Sequence, residues 1–450
     1  MRISELAGRR VAILGAGREG LAAWRAIRRR FPRQDLWLLT ERAPAGGALP
    51  DLDERCDHLV VAPFEAGALE GFEVLVRSPG VSLYRPALRR AAEDGARVTT
   101  GTNLWFAEHP GERTICVTGT KGKSTTVALL AHLLRAAGAE AVAAGNIGRP
   151  LLDCEGMEAS WWVVELSSYQ IADLDARPDV AVLLNLSEEH LDWHGDVARY
   201  QRDKLRLAGL ADDGLVVANH RDPVLRRALA DREAVAWFGV PDGFHVAEGG
   251  LYRGDAPVLT PADSPLRGRH NLENLAAALT VLRAIGVDAG PLAKALQGFE
   301  PLAHRLQPVG ERDGVRYVDD SISTTPVSTL AALEACAGSP VVLLVGGLDR
   351  GLDWRAFARA VRAAPPRAII GMPDSGAAVI DCLAAEGVAP EAGLHRAEGL
   401  EAAVRLAARL AVHGGTVLLS PGAPSFPRFR DYRERGEAFA RAAGFTVGGS

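Results

Sequence analysis

The sequence predicts an α/β protein of three domains, on three observations. A strand, a glycine turn and a helix open the chain in VAILGAGREGLAAWRAIRRR at 11–30, and the same order returns in TICVTGTKGKSTTVALLAHLLRAAG at 114–138. Apolar strands start a third time at VRYVDDS, 315–321, and alternate with alanine-rich helices. The length of 450 residues suits domains of about 150 residues each. We expect a Rossmann-like domain over 1–101, a central P-loop domain over 102–301 and a second Rossmann-like domain over 302–450.

The composition is that of a folded globular protein, with 48% apolar and 24% charged residues. A net charge of −5 lacks the basic excess that drives binding to nucleic acid. The five cysteines are scattered without a CxxC pair, which disfavours disulfides and a cysteine metal site. A charged start, MRISELAGRR, and the lack of an apolar run of about 18 residues predict a cytoplasmic chain without membrane insertion.

The first glycine turn, GAGREG at 15–20, matches the GxGxxG pattern and follows a strand. It leaves three interpretations open: a nicotinamide or flavin site, a site for another nucleotide's phosphates, or a structural turn. A dinucleotide site calls for an acidic residue at the end of the second strand, LWLLT at 36–40. Thr40 occupies that end, followed by Glu41, which weakens the dinucleotide interpretation.

The second glycine turn is typical of a phosphate loop. Gly119 and Gly122 let the backbone approach an anion, and the following helix offers its positive end. Lys123 can reach terminal phosphates and Ser124 can bind Mg²⁺ through its hydroxyl. The alternative interpretation is a glycine turn that only caps the helix. The loop predicts a nucleoside triphosphate site formed by Gly119, Thr120, Lys121, Gly122, Lys123, Ser124 and Thr125.

Polar residues follow two further strands of the central domain. Glu165 follows WWVV, and His190 lies in NLSEEHLDWHG after VAVLL. Carboxylate oxygens suit Mg²⁺ and imidazole is a less usual ligand, so both residues are metal-site candidates, although His194 could be mistaken for His190. The periodicity around Lys204 by itself predicts an exposed helix lysine.

Three more segments carry candidate binding residues. In RHNLENLAAAL, Asn271 and Asn274 share one helix face, and either helix capping or recognition of a purine edge explains them. Asp320 ends the strand VRYVD, and Pro326 suits a first helical position. The loops GGLDRGLDW at 346–354 and SPGAPSFPRFRDYRERG at 420–436 carry charges that suit a substrate with carboxylates.

Several motifs occur in a fixed order along the chain: GTKGKST, GNIG, ELSSYQ, NLSEEHLDWHG, a lysine 14 residues after His190, HNLEN, and HR before DDS. Together they resemble the Mur ligase family, and the resemblance covers the whole chain. The sequence is most similar to the MurD-type branch, whose members use ATP to add glutamate to UDP-N-acetylmuramoyl-L-alanine in peptidoglycan synthesis. The resemblance implies a first domain for the uridine nucleotide, a central domain for ATP and Mg²⁺, and a third domain for the amino acid.

The resemblance also implies roles for single residues. Lys123, Glu165, His190 and Lys204 would be catalytic, with Ser124, Glu165, His190 and a carbamate on Lys204 at the metal site. Besides the phosphate loop, ATP would contact Asn271, Asn274, Arg305 and Asp320. The other substrates would contact Arg18, Glu19, Gly80, Asn146, Ser168, Thr324, Arg350, Ser425 and Tyr432.

The third domain departs from the usual MurD pattern. Ile322 and Arg350 stand where lysines are usual, and Tyr432 stands where phenylalanine is usual. Arginine and lysine bind carboxylates with different geometry, and DDSISTTP and GGLDRGLDW resemble the branch that adds L-glutamate. We therefore predict L-glutamate rather than D-glutamate as the substrate. We also predict that the protein is a monomer. Three competing functions are a folylpolyglutamate-synthase-like ligase, a nicotinamide oxidoreductase and a nucleotide-binding interaction protein without activity.

Overall fold

The computed structural model describes residues 1–41, 52–187, 191–260, 268–288, 295–299 and 303–446. They form two compact units. The first contains Met1–Thr260 and Glu273–Gly298, and the second contains Pro261–Leu272 and Phe299–Ser450.

The first sheet has five parallel strands in the order β3-β2-β1-β4-β5. Its strands are β1 (Val11–Leu14), β2 (Leu36–Thr40), β3 (Asp57–Val61), β4 (Val74–Arg77) and β5 (Arg97–Thr100). The helices of this region are α1 (Arg18–Arg30), α2 (Ala66–Leu69), α3 (Pro86–Glu93) and α4 (Gly101–Glu108), with a short 3₁₀ helix at Ile3–Leu6. The strand order reverses between β1 and β4, where α/β sheets usually bind ligands.

The second sheet has six parallel strands in the order β11-β10-β9-β6-β8-β7. Its strands are β6 (Thr114–Thr118), β7 (Ala141–Gly145), β8 (Trp161–Glu165), β9 (Val180–Leu183), β10 (Leu215–Asn219) and β11 (Val235–Phe238). The helices along this stretch are α5 (Lys123–Ala136), α6 (Ser168–Ile171), α7 (Leu191–His194), α8 (Val197–Leu210) and α9 (Pro223–Ala228), with a 3₁₀ helix at Leu151–Cys154.

A small antiparallel sheet follows, which the sequence patterns did not predict. It consists of β12 (Phe244–Ala247), β13 (Gly250–Arg253) and β14 (Ala256–Leu259). Next along the chain come α10 (Arg269–Ala284) and a 3₁₀ turn at Leu296–Gly298.

The second unit contains a six-stranded sheet in the order β15-β16-β20-β17-β18-β19, antiparallel only at β15. Its strands are β15 (Gln307–Arg312), β16 (Val315–Asp319), β17 (Val341–Val345), β18 (Ala368–Gly371), β19 (Leu394–Arg396) and β20 (Thr416–Leu419). Its helices are α11 (Pro326–Ala335), α12 (Arg355–Val361), α13 (Gly376–Ala385), α14 (Leu400–Leu410) and α15 (Tyr432–Ala442).

One apolar core of the first unit includes residues from both of its large sheets. Val11 and Ile13 of β1 and Cys116 of β6 belong to it, and so do Trp105 of α4 and Trp162 of β8. The two tryptophan rings meet edge to face at 4.9 Å, and Trp105 is fully buried. The first sheet and the central sheet are therefore held together by shared apolar burial.

The predicted α/β class is confirmed. The apolar runs LWLLT at 36–40, VVLLVGG at 341–347, AII at 368–370 and TVLLS at 416–420, which predict strands in the sequence, correspond to β2, β17, β18 and β20. Pro326 is the first residue of α11, as predicted. Among the described helices, none is long and apolar enough to cross a membrane.

Candidate functional site

The predicted phosphate loop joins β6 to α5 at the carboxyl end of the central sheet, and its two glycines are required by close contacts. Gly122 precedes α5 with φ 88°, in the left-handed region. A Cβ on Gly122 would come within 2.2 Å of Asn274 Oδ1, and one on Gly119 within 2.9 Å of Leu184 Cβ. The loop therefore presents bare backbone at the start of a 14-residue helix, which is the arrangement that binds phosphates.

Neighbouring strand ends hold this loop in place. The Thr120 amide donates to Asn185 O at 2.8 Å, and the Lys121 amide donates to Asn185 Oδ1 at 2.8 Å. The Thr120 hydroxyl lies 2.7 Å from the hydroxyl of Tyr200, which is fully buried. Sequence patterns did not single out Tyr200, although its position four residues before Lys204 places both on one face of α8.

Two lysine ammonium groups meet at this loop. Lys123 Nζ donates to Gly119 O at 2.9 Å and to Thr120 O at 3.0 Å. Lys204 Nζ donates to the same Gly119 O at 3.0 Å. Only 2% of Lys204 is exposed, so the exposed position that its periodicity suggested is wrong, because this face of α8 packs against the phosphate loop.

Glu165 ends β8 beside the phosphate strand, paired with Val117 of β6. Its Oε1 accepts a hydrogen bond of 2.8 Å from the Asn146 amide. Its Oε2 is buried and has no hydrogen-bond partner among the described residues. Because a buried carboxylate oxygen without a donor is costly, this atom fits a cation ligand.

The other metal-site candidates have different positions. Ser124 lies in the first turn of α5 and is partly exposed. His190 lies outside the described residues. Across the ranges that the structure describes, no cluster of three His, Cys, Asp or Glu side chains could hold a metal ion by itself. A Mg²⁺ site here would therefore depend on phosphate oxygens together with Glu165 and Ser124.

The first-sheet candidates lie near the point where the strand order reverses. Gly15 has φ 94°, and a Cβ on Gly20 would come within 2.0 Å of Gly15 O, so GAGREG makes a tight turn with a closely packed helix. Arg18 and Gly80 are exposed at this end of the sheet. Burial raises the pKa of Glu19 to about 7, and its Oε1 accepts from the Gln170 amide at 3.3 Å.

One prediction for the two asparagines of α10, that Asn271 caps the helix, is contradicted by the structure. The helix begins at Arg269, so Asn271 is its third residue, and capping by Asn271 is wrong. Both asparagines are buried, each 6% exposed. The contact between Asn274 and the Gly122 position places its amide beside the phosphate loop.

In the second unit, Asp320 follows β16 and is 4% exposed. It accepts hydrogen bonds from the Leu306 amide at 3.2 Å and the Ser420 hydroxyl at 2.8 Å, and also from the Ser323 hydroxyl. Burial nevertheless raises the pKa of Asp320 to about 6. Arg305 favours the charged carboxylate, and its own buried Nε has no partner among the described residues.

The four candidate contacts of the amino acid do not line one common cavity of the described residues. Arg350 lines a cavity of about 180 Å³ with Trp354 and Ser375, whereas Ser425 lines a different cavity of about 460 Å³ with Arg435. Thr324 and Tyr432 line neither of these two cavities. Arg435, which sequence reasoning missed, is 2% exposed and donates to Ser321 O at 2.7 Å and Ala423 O at 3.0 Å.

Two protein-family models match the chain. The Mur ligase middle domain matches residues 117–282, and the Mur ligase, glutamate ligase domain matches residues 304–423. The first match contains the phosphate loop, Glu165 and Lys204.

Curated proteins are similar over the full length. A protein of Xanthomonas oryzae pv. oryzae is 48% identical, with 99% of this chain and 97% of its own covered. A Xylella fastidiosa protein is 46% identical with the same coverage, and one from Micromonospora is 44% identical, with 100% and 99% covered. All are named UDP-N-acetylmuramoyl-L-alanine--L-glutamate ligase.

Solved structures share the fold at low sequence identity. The MurF ligase of Thermotoga maritima in complex with ADP has a TM-score of 0.61 at 17% identity, covering 98% of this chain and 96% of its own. The UDP-N-acetylmuramate-alanine ligase MurC of the same organism has a TM-score of 0.60 at 17% identity, covering 96% and 98%.

Proposed function

The chain belongs to the Mur ligase family, and on that basis we propose that it is an ATP-dependent ligase that adds L-glutamate to UDP-N-acetylmuramoyl-L-alanine. The reaction forms an amide bond, releases ADP and phosphate, and contributes to peptidoglycan precursor synthesis. The names of the full-length relatives support L-glutamate and do not favour a folate-type ligase or an oxidoreductase.

The observation that carries this proposal is the meeting of Lys123 and Lys204 at the Gly119 carbonyl. The Lys123 ammonium beside this bare phosphate loop provides positive charge where a terminal phosphoryl group would lie, and Lys204 lies at the same carbonyl, close to where the phosphates and their Mg²⁺ would bind. Because phosphoryl transfer depends mainly on positioning and charge neutralisation, such a loop suits ATP-driven activation of a carboxylate.

The chemistry needs no nucleophilic side chain. The alanyl carboxylate attacks the γ-phosphorus of ATP, the bond between the γ-phosphorus and the β–γ bridging oxygen breaks, and ADP leaves. The glutamate amine then attacks the carbonyl carbon of the acyl phosphate, inorganic phosphate leaves, and the nitrogen loses a proton. We assign Lys123 to the phosphoryl oxygens, which it can neutralise without changing its own protonation state.

Mg²⁺ fits the residues present: among the described residues Glu165 and Ser124 would hold it, and the family resemblance implies His190 as a further ligand. When bound, Mg²⁺ supplies charge neutralisation at the phosphates. The unpartnered Oε2 of Glu165 supports this assignment.

A carbamate on Lys204 is the further part of the metal proposal. The unprotonated amine would add to CO₂ through a new C–N bond and lose one proton, which replaces a cation by an anion. The burial of Lys204 beside the phosphate loop supports this proposal, because a carbamate at this position would lie close to the phosphates and their Mg²⁺.

The remaining assignments follow the family pattern and are proposals. ATP would contact Asn271, Asn274, Arg305 and Asp320 besides the phosphate loop. Arg18, Glu19 and Gly80 would face the uridine nucleotide, Asn146 and Ser168 the muramoyl group, and Thr324, Arg350, Ser425 and Tyr432 glutamate. We also propose domain limits at 1–101, 102–301 and 302–450, a monomer, which sedimentation would test, and action in the cytoplasm, where ATP is available.

The deciding experiment offers the chain ATP, Mg²⁺ and UDP-N-acetylmuramoyl-L-alanine with each glutamate enantiomer separately. We expect one ADP and one phosphate for each amide formed, and faster turnover with L-glutamate. Lys123→Ala is the inactive control, and it should still bind the UDP-substrate. Faster turnover with D-glutamate would overturn the stereochemical assignment, and ADP release that ignores glutamate would overturn the ligase assignment.

A further inference from the structure

The turn between β1 and α1 leaves the start of that helix without a side-chain cap. Gly17 precedes α1 and makes no side-chain cap hydrogen bond. The first amide groups of a helix have no acceptor within the helix, and they carry a partial positive charge. Gly17 and Arg18 are exposed, so the start of this 13-residue helix is accessible to an anion.

Glu19 is the second residue of α1, and its carboxyl group makes one weak hydrogen bond. Its Oε1 accepts from Gln170 Nε2 of α6 at 3.3 Å. Its Oε2 faces Gly101 of α4, where a Cβ would lie 3.6 Å away. Neither neighbour carries a charge. A carboxylate withdrawn from water needs good donors, so one long hydrogen bond stabilises the charged form poorly.

The charged groups around this carboxyl oppose one another. Arg18 favours the ionised form, whereas Asp153 disfavours it and is itself paired with Arg25 at 2.6 Å. Burial outweighs both and raises the pKa of Glu19 to about 7. The residue is still partly exposed, so protons from solvent can reach it. At neutral pH the free protein therefore contains both the protonated and the ionised forms.

A bound diphosphate and an ionised Glu19 would compete for the same helix start. Side chains in the first turn tilt towards the N-terminus of the helix, so the carboxylate and the phosphates depend on the same amide dipoles. When phosphates occupy that end, the carboxylate loses this stabilisation and gains a like charge nearby. Both effects favour the protonated carboxyl.

We propose that Glu19 links the binding of the UDP-substrate to the uptake of one proton: its carboxyl is protonated when the diphosphate occupies the start of α1. This inference rests on the proposed function, because only that assignment places the uridine nucleotide at this turn. The proton stays on Glu19 and takes no part in amide formation. Affinity for the UDP-substrate is therefore highest below the pKa of Glu19 in the free protein and falls as the pH rises above about 7.

The test is titration calorimetry of the whole chain with UDP-N-acetylmuramoyl-L-alanine, without ATP, in buffers of different ionisation enthalpy. The diphosphate of this ligand is a diester with no group that titrates near neutral pH, so a proton taken up on binding goes to the protein. We expect uptake in the wild type and none in Glu19→Gln, which imitates the neutral acid. From about pH 6 to about pH 9, wild-type affinity should fall about tenfold, which corresponds to a pKa raised by about one on binding. The affinity of Glu19→Gln should stay constant.

Glu401→Gln is the matched control, because it also removes an acid from the first turn of a helix, α14, but an exposed one. It should keep the wild-type proton uptake. If Glu19→Gln folds poorly, Glu19→Ala should likewise abolish the uptake.

Binding without proton uptake, or equal uptake in the wild type and a Glu19 variant, would overturn the inference and leave the ligase assignment intact. A chain that binds the UDP-substrate with proton uptake but forms no amide would defeat the ligase assignment alone. A chain that does not bind the UDP-substrate would defeat both.

Discussion

Lys204 shows how a single residue can be misjudged from its neighbours in sequence. Its helix carries charges along most of its length, so an exposed lysine is the ordinary expectation. In the structure its ammonium lies at the phosphate loop, 3.0 Å from Gly119 O and 3.5 Å from Thr118 Oγ1. Under the proposed function, a side chain placed there would lie beside the phosphoryl group that is transferred.

We expect Lys204→Ala to be nearly inactive and to recover part of its activity with small carboxylic acids, because these can replace the anion of a carbamate. The measurement is amide formation with and without acetate or formate. Arg202→Ala, on the exposed side of the same helix, is the matched control and should remain active. Full activity of Lys204→Ala without added acid would contradict the carbamate proposal.

Arg350 is the residue on which the glutamate assignment depends most. If its guanidinium binds one carboxylate in a bidentate manner, Arg350→Lys should raise the KM for glutamate by the equivalent of about 1.5 to 3 kcal/mol, the cost of a lost charged hydrogen bond. The KM for ATP should change little. Equal changes in both constants would instead indicate a general disturbance of the second unit.

The start of α5 depends on Gly122, a residue without a side chain. Gly122→Ala should abolish ATP binding, because its Cβ would fall within 2.2 Å of Asn274 Oδ1. Backbone strain at positive φ should also lower the free energy of unfolding by about 1 kcal/mol. Gly138→Ala is a close control, since Gly138 has φ 86° but open space around its Cβ. If Gly138→Ala lost ATP binding to the same extent as Gly122→Ala, backbone strain alone, rather than the contact with Asn274, would explain the loss.

The loop after β16 carries a pH-dependent prediction. The pKa of Asp320 is raised by burial to about 6, so between its unfolded pKa and about 6 the folded chain holds a proton that the unfolded chain has lost. Its contribution to stability is complete at acid pH and is lost as the pH rises through about 6. Asp320→Asn should therefore gain stability relative to wild type, by about 2 kcal/mol from pH 4 to pH 7. Denaturant unfolding at both pH values measures this, and a constant difference would contradict it.

The elements that the sequence predicted well are those determined locally. The buried strands near 36, 341 and 416 are short apolar runs bounded by turns, and the phosphate loop is a contiguous motif. What the sequence could not reveal depends on distant contacts. Tyr84 contacts Asp203, which lies 119 positions further along the chain, and α10 begins at Arg269, two residues before the predicted capping residue Asn271.

Arg77 links the first sheet to the central sheet region. Its side chain is fully buried and paired with Asp173 at 2.7 Å, and it also donates to Val81 O and Tyr169 O. Breaking a buried ion pair on one side leaves an uncompensated charge, which is strongly destabilising.

We expect Arg77→Met to lower the free energy of unfolding by about 3 kcal/mol. The matched control is Arg97→Met, which removes the exposed pair with Glu5 and should cost less than about 1 kcal/mol. Denaturant titration followed by tryptophan fluorescence compares the two variants. Equal losses in both would show that Arg77 contributes no more than a surface ion pair.

The apolar core shared by the first and central sheets limits how this chain can be recombined. A chimera that takes residues 1–101 from a distant relative would need partners that fit Trp105 and Trp162, which pack in that core. Residues 1–101 and the segments that carry Trp105 and Trp162 should therefore be exchanged together, even though the two glycine motifs lie in separate sheets.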